Sequence, residues 1–187
     1  MSGARVREMT PADCDRVARI RVAGWQSAYR GLMPQSYLDG MSAADNAGRL
    51  RARLAAGDGS VQNLVAVGAA PAPTGHPGRD DEIVGWACHG PYRDGEVRTD
   101  DAELYALYVD PRHQGRGIGR ALLDESVRRC TAAGRRRVFL WVLEENAPAR
   151  RFYARGGFHA DGAAEPFEVA GVEVPEVRYV KELGSPG

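Results

Sequence analysis

Gly115, Gly117 and Gly119 alternate with arginine and isoleucine in the stretch VDPRHQGRGIGRALLDE, Val109 to Glu125, and a helical pattern follows at once. A helix N-terminus presents unpaired N–H groups at the positive end of its macrodipole, so it attracts anions. Glycine at alternate positions removes each Cβ that would hold an anion off, and lets several amides converge on it. Arg112, Arg116 and Arg120 add cationic side chains nearby. The chemistry implied is a phosphate or diphosphate site. A triphosphate loop, G-x-x-x-x-G-K-[ST], needs a lysine and a hydroxyl after the glycines, and neither is present. A dinucleotide turn needs G-x-G-x-x-G, whereas the spacing is G-x-G-x-G with Arg120 in the third glycine's place; Glu144 or Glu145 can still imitate the ribose-binding acid. A tight strand-to-helix turn without a ligand is the remaining alternative.

Other reactive residue types are scattered. Cys14, Cys88 and Cys130 form no C-x-x-C pair and fit reduced core thiols. His76, His89, His113 and His159 show no metal-ligand spacing, so no metal is expected. Lysine plus arginine and aspartate plus glutamate number 25 each, and this balance argues against nucleic acid or an anionic membrane as a partner. No apolar run is long enough to cross a bilayer, and MSGARVREMT lacks a signal-peptide core, so the expected location is cytoplasmic.

The elements that must position the turn follow from pattern. The 187 residues suit one domain, 1–187, in which the Pro- and Gly-rich separator at 69–81 is expected to be a mobile loop. Arg5 to Met9 reads as a strand, and Thr10 followed by Pro11 starts a helix that runs to about Tyr29. A second helix covers Ala43 to Ala56, then strands Val61 to Val67 and Glu82 to Cys88. Ala102 to Val109 is a buried strand leading into the glycine turn and its helix, which Gly134 closes. Arg137 to Leu143 reads as a central strand, Asn146 caps a short helix ending at Gly156, and Val172 to Glu182 alternates as an edge strand does. The order predicts an α/β, mixed α+β domain with at least one parallel crossover.

Two stretches resemble one family. Gln114, Gly117 and Gly119 fit the Q/R-x-x-G-x-G/A signature of the GNAT superfamily of N-acetyltransferases, and Asn146 with FYARGGF, Phe152 to Phe158, resembles its second signature. Upstream, GWQSAYRGLMPQSYLD, Gly24 to Asp39, is similar to the acceptor-side helices of bacterial members. The resemblance implies a mostly antiparallel central sheet with one splayed parallel strand pair and helices on both faces. It further implies acetyl-CoA as co-substrate, its pantetheine arm between the splayed strands beside Leu107, Tyr108 and Val109. Its diphosphate would lie on amides of Gln114, Gly115, Arg116, Gly117, Ile118, Gly119 and Arg120, with Asn146 available to the pantetheine. The Leu107 N–H becomes the expected donor to the thioester oxygen.

By the same resemblance Glu103 is the candidate base and Tyr153 the acid for the leaving thiolate. Unbroken alternation places Glu103 with Tyr105, Leu107 and Val109 on one strand face, and Tyr105 and Tyr108 are candidates to order a relaying water; a structural carboxylate paired to arginine is the alternative for Glu103. Trp25, Tyr29 and Tyr37 are either acceptor-pocket or core aromatics. Glu165, Glu168, Glu173 and Glu176 read as a solvated acidic edge, with attraction of a cationic amine as the alternative. The implied activity is acetyl transfer to a primary amine of a small molecule or peptide. The rivals are a non-catalytic acyl-CoA-binding regulatory module and a nicotinamide-dependent oxidoreductase; a homodimer stays open.

Overall fold

The computed structural model describes residues 4–68, 82–94 and 97–184. The 69–81 separator, expected to be mobile, lies outside the described residues. Seven strands form one sheet: β1 (Arg5–Glu8), β2 (Gln62–Gly68), β3 (Glu82–Asp94), β4 (Val97–Val109), β5 (Arg137–Leu143), β6 (His159–Val169) and β7 (Val172–Glu182), in the order β1-β2-β3-β4-β5-β7-β6. All neighbours are antiparallel except β4 and β5, which the crossover helix between them makes parallel. The mixed α/β architecture expected from the element order is therefore present.

Helices cover both faces. On one, α1 (Cys14–Ala28) and α3 (Ala43–Ala56) pack Val17, Ile20, Ala47 and Leu50 against Val65, Ile83 and Trp86. On the other, α4 (Ile118–Ala132) and α5 (Ala147–Arg155) pack against Leu64, Val84, Leu104, Val138 and Leu140. Five-residue α2 (Gln35–Asp39) adds Leu38 to a third cluster with Trp25, Met33 and Leu143. Thr10 starts the first helical segment as its composition predicts: its N–H donates to Asp13 Oδ2 at 2.7 Å, and Pro11 opens a 3-10 turn that leads into α1.

Three sequence expectations need correction. β3 and β4 extend well past the runs read from pattern, to Asp94 and from Val97, because long-range pairing with bulges carries HGPYRD through its turn-forming residues. β6 went unread because Gly162 and Pro166 interrupt it, and proline is tolerated at a sheet edge. With β6 outermost, β7 is internal rather than an edge strand.

Candidate functional site

The glycine turn is fixed at its root by Asp110. Its N–H donates to Val84 O at 2.9 Å, which ends β4, and its buried carboxylate accepts from Arg16 at 2.7 Å and from Arg112 N–H at 3.0 Å. Arg112 also holds Asp110 well below the usual carboxylate range. A 3-10 turn, Pro111–His113, then delivers the chain to Gly115 and Gly117 with φ of 75° and 79°, the left-handed region that glycine enters at little cost. Gly117 is the N-cap of α4. The N–H groups of Gly117, Ile118, Gly119 and Arg120 donate to no acceptor among the described residues, the first such bond being Ala121 N–H to Gly117 O. These donors sit at the positive end of a 15-residue helix.

The arginines around the turn divide unequally. Arg112 is spent on Asp110, and Arg120 is spent on Asp124 and the Arg155 carbonyl. Arg116 makes no ion pair among the described residues, so of the three it is the guanidinium left for a ligand. It is also the one candidate coenzyme-binding residue that does not line the cavity below.

β4 and β5 pair only at Ala102–Val138 and Glu103–Phe139, and beyond Glu103 they diverge. The bond from Asp110 to Val84 sets the phase of the β3–β4 ladder, so Tyr108 shares its main chain with Trp86 while Leu107 and Val109 turn theirs into the gap. Here lies a cavity of about 920 Å3, running from the glycine turn through the gap to α1. Glu103, Leu107, Tyr108, Val109, Gln114, Gly115, Gly117, Ile118, Gly119, Arg120, Asn146 and Tyr153 all border it. None of the three cysteines does. Burial pushes the Cys88 and Cys130 thiols up to about 12 and about 11, which leaves them protonated and unreactive.

The sequence-derived face of β4 is wrong at one point. A bulge at Tyr105, where Cys88 pairs with Ala106 and His89 with Leu104, reverses the alternation. Leu107 and Val109 pack with α4, whereas Ala106 and Tyr108 pack towards α1. Leu104 packs with α4, so Glu103 belongs to the α1 face with Ala106 and Tyr108. Burial pushes its carboxyl up to about 7. Arg93 acts electrostatically in the opposite sense but makes no salt bridge to Glu103, while neighbouring Asp101 does pair with an arginine, Arg137 at 2.6 Å.

The Tyr105 hydroxyl donates to the Pro91 carbonyl and has no proton to spare for a relay. Tyr108 meets Tyr29 hydroxyl to hydroxyl at 3.4 Å, and burial raises both phenols. Burial also holds Tyr153 well above the usual phenol range, so it keeps its proton; its hydroxyl has no protein partner among the described residues. Asn146 accepts from Ala149 N–H at 3.2 Å as the N-cap of α5, which leaves its amide nitrogen as a donor at the cavity wall.

At the α1 end, Trp25 and Tyr29 line the cavity and Tyr37 does not. Trp25 contacts the Tyr29 ring edge-on at 5.0 Å and the Phe167 ring at 6.4 Å. Glu176 completes this wall with Trp141, Phe167 and Met33, three residues that carry no signal of their own in the sequence. Glu176 was grouped with the solvated acidic edge, yet β6 covers β7 on that side, and burial pushes its carboxyl up to about 7. The available signal was the apolar alternation of Val177 and Tyr179, which puts Glu176 and Arg178 on the opposite, α1-side face.

A family model described as the acetyltransferase (GNAT) family matches residues 70–158. The uncharacterized N-acetyltransferase YuaI of Bacillus subtilis is 31% identical over 173 residues, spanning 92% of this chain and 89% of that protein. The probable N-acetyltransferase Rv2775 of Mycobacterium tuberculosis is 27% identical over 179 residues, 95% of this chain and 93% of its own. The PaiA N-acetyltransferase of Thermoplasma acidophilum, solved in complex with coenzyme A, superposes with a TM-score of 0.71 over 98% of this chain and all of its own; at 18% identity this is a likeness of fold.

Proposed function

The chain belongs to the acetyltransferase (GNAT) family, and on that premise we propose that it transfers the acetyl group of acetyl-CoA to a primary amine by direct attack in a ternary complex. The observation that carries this reading is the single cavity in which unpaired helix-end amides, an open strand edge and an elevated carboxylate meet. The amides of Gly117 to Arg120 suit a diphosphate, and Arg116 suits a further phosphate outside the cavity mouth. An amide-bearing pantetheine arm satisfies the edge of β4 at Leu107 and Val109 as an added strand would. Asn146 adds a side-chain donor to that arm. Coenzyme A in the Thermoplasma neighbour supports the same ligand class.

The steps follow from the residues. Glu103, half deprotonated near neutral pH, takes a proton from the ammonium of the acceptor. The amine nitrogen attacks the thioester carbon, and the Leu107 N–H meets the charge that develops on the oxygen. The C–S bond then breaks, Tyr153, kept protonated by burial, donates to the departing sulfur, and the second proton still on the attacking nitrogen leaves it to give the neutral amide and restore the phenol. No cysteine borders the cavity to form an acyl-enzyme, which favours direct attack. A purely regulatory acyl-CoA module has no use for Glu103 and Tyr153 at the gap, and a nicotinamide site lacks its third glycine. Among the described residues no group of side chains suits a metal, and the steps above call for none. Three free thiols and the coenzyme substrate favour a cytoplasmic location.

The test is thiol release from acetyl-CoA across a panel of amines. Amine-dependent release is expected; tight coenzyme binding without release under any amine supports the regulatory module instead.

A further inference from the structure

Resting on the acetyl-transfer reading, the acceptor end of the cavity carries information about which amine is used. Two half-buried carboxylates, Glu103 and Glu176, border it, and neither forms an ion pair among the described residues. Elsewhere among the described residues, buried and half-buried carboxylates are matched: Asp13 by Arg7, Asp110 by Arg16 and Arg112, Glu125 by Arg128 and Arg129, Asp161 by Arg178. The cations near the pair are committed. Arg178, two residues from Glu176 on the same face, is held by Asp161 and the Tyr92 hydroxyl and lies over the Phe139 and Trp141 rings. Arg21 bonds Asn46, and exposed Arg93 lies over Tyr105.

The two carboxylates enter the cavity from different points of the sheet, though the charge of Glu176 still acts on Glu103. Glu103 pairs with Phe139 and Glu176 with Leu143, on opposite sides of β5. Those partners are four residues apart, about 13 Å along the strand. Glu103 is needed as the base for the reacting nitrogen, which leaves Glu176 facing a different part of the acceptor. Glu165, opposite Glu176 in the β6–β7 register and exposed, extends the negative strip to the surface. The facing wall is aromatic, with Trp25, Tyr29 and Phe167; Arg21 already lies over the Trp25 ring at 5.7 Å, so the rings of Tyr29 and Phe167 are the ones left to attract an ammonium as carboxylates do.

We propose that the acceptor is a primary amine bearing a second ammonium on an unbranched apolar chain, a linear diamine or polyamine, with its distal charge held between Glu176 and the Trp25–Tyr29–Phe167 wall. The chain between the two nitrogens lies along the aromatic surface, and an acceptor with a free carboxylate is repelled by both glutamates. Glu176 thereby sets specificity, while Glu103 acts on the reacting nitrogen.

The experiment compares cadaverine, pentylamine and delta-aminovalerate, which share a chain length and differ in the distal group. It uses the full chain, kcat/KM from thiol release, and calorimetric Kd with and without coenzyme A. Cadaverine is expected to exceed pentylamine by about tenfold in both measures, with aminovalerate below pentylamine. Glu176→Gln removes most of the difference between cadaverine and pentylamine, and Glu168→Gln, an exposed β6 control outside the cavity, retains it. Equal use of cadaverine and pentylamine, preference for aminovalerate, or full discrimination in a folded Glu176→Gln variant overturns the inference. The calorimetry separates the two claims: if cadaverine binds in a Glu176-dependent way but no thiol is released, acetyl transfer fails and the acceptor class stands.

Discussion

Replacing Glu103 with glutamine keeps the shape of the side chain and removes its ability to take a proton. An alkylammonium with pKa about 10.4 loses its proton at neutral pH at a cost of about 4.6 kcal/mol, at about 1.36 kcal/mol per unit, so about one molecule in 2,500 is already a free amine. A carboxylate with its carboxyl raised to about 7 accepts that proton inside the complex, close to the optimum for a base at neutral pH. Losing it is expected to lower kcat/KM by about 10²- to 10⁴-fold at neutral pH. The pH profile carries the sharper signature. The unmodified enzyme loses activity as pH falls through about 7, because Glu103 becomes protonated. In Glu103→Gln that limb moves up to the amine's own pKa, so the rate climbs about tenfold per pH unit and the deficit shrinks towards about pH 10. Glu176 is raised to about 7 as well, so the native limb belongs to two interacting carboxyls, and Glu176→Gln retains a limb near 7. Thiol-release kinetics over this range are the assay. A Glu103→Gln enzyme within about threefold of the native rate, with its limb still near 7, refutes the base assignment.

Tyr153→Phe removes the donor to the leaving sulfur and should lower kcat by about ten- to a hundredfold with little change in the KM for acetyl-CoA; an unchanged kcat removes Tyr153 from the acid role. Gly117→Val places a β-branched residue at φ 79°, where a Cβ meets nothing within 4 Å, so its effect is on the backbone and not on packing. It should cost about 1–2 kcal/mol of stability and weaken coenzyme A binding by about tenfold or more in calorimetry. Glu176→Gln should stabilise the ligand-free protein at pH 8. A carboxyl raised from 4.5 to about 7 favours the folded state when protonated, so its contribution to stability falls as pH rises through that window. The unscreened cost of about 3 kcal/mol is reduced by solvent to about 1–2 kcal/mol, a rise in Tm of a few degrees at pH 8 that vanishes near pH 4. An equal Tm shift at both pH values contradicts that origin.

The glycine turn was legible because anion binding and left-handed backbone both demand glycine, so Gly115 and Gly117 announce the site and its geometry together. Arg137 to Leu143 was equally plain, since a strand apolar on both faces must be central. The face of Glu103 was not legible: one bulge at Tyr105 reverses an alternation that the residue types leave unmarked. Nor was the place of Glu176. Its burial depends on β6 pairing outside β7, and β6 itself is disguised by Gly162 and Pro166, whose local preference is overridden by pairing at the sheet edge. The chemistry of the turn is local and was written locally. The acceptor wall, by contrast, is assembled from α1, β5, β6 and β7, and its membership follows strand order rather than spacing.

The account depends on main-chain donors at the start of α4 holding the diphosphate of coenzyme A. Calorimetric titration of the protein with acetyl-CoA and with acetyl-pantetheine, which lacks the diphosphate and nucleotide, tests this directly. Two charge-assisted hydrogen bonds at about 1.5 kcal/mol each predict that acetyl-pantetheine binds about a hundredfold more weakly or worse. Equal affinity for the two ligands would contradict the account.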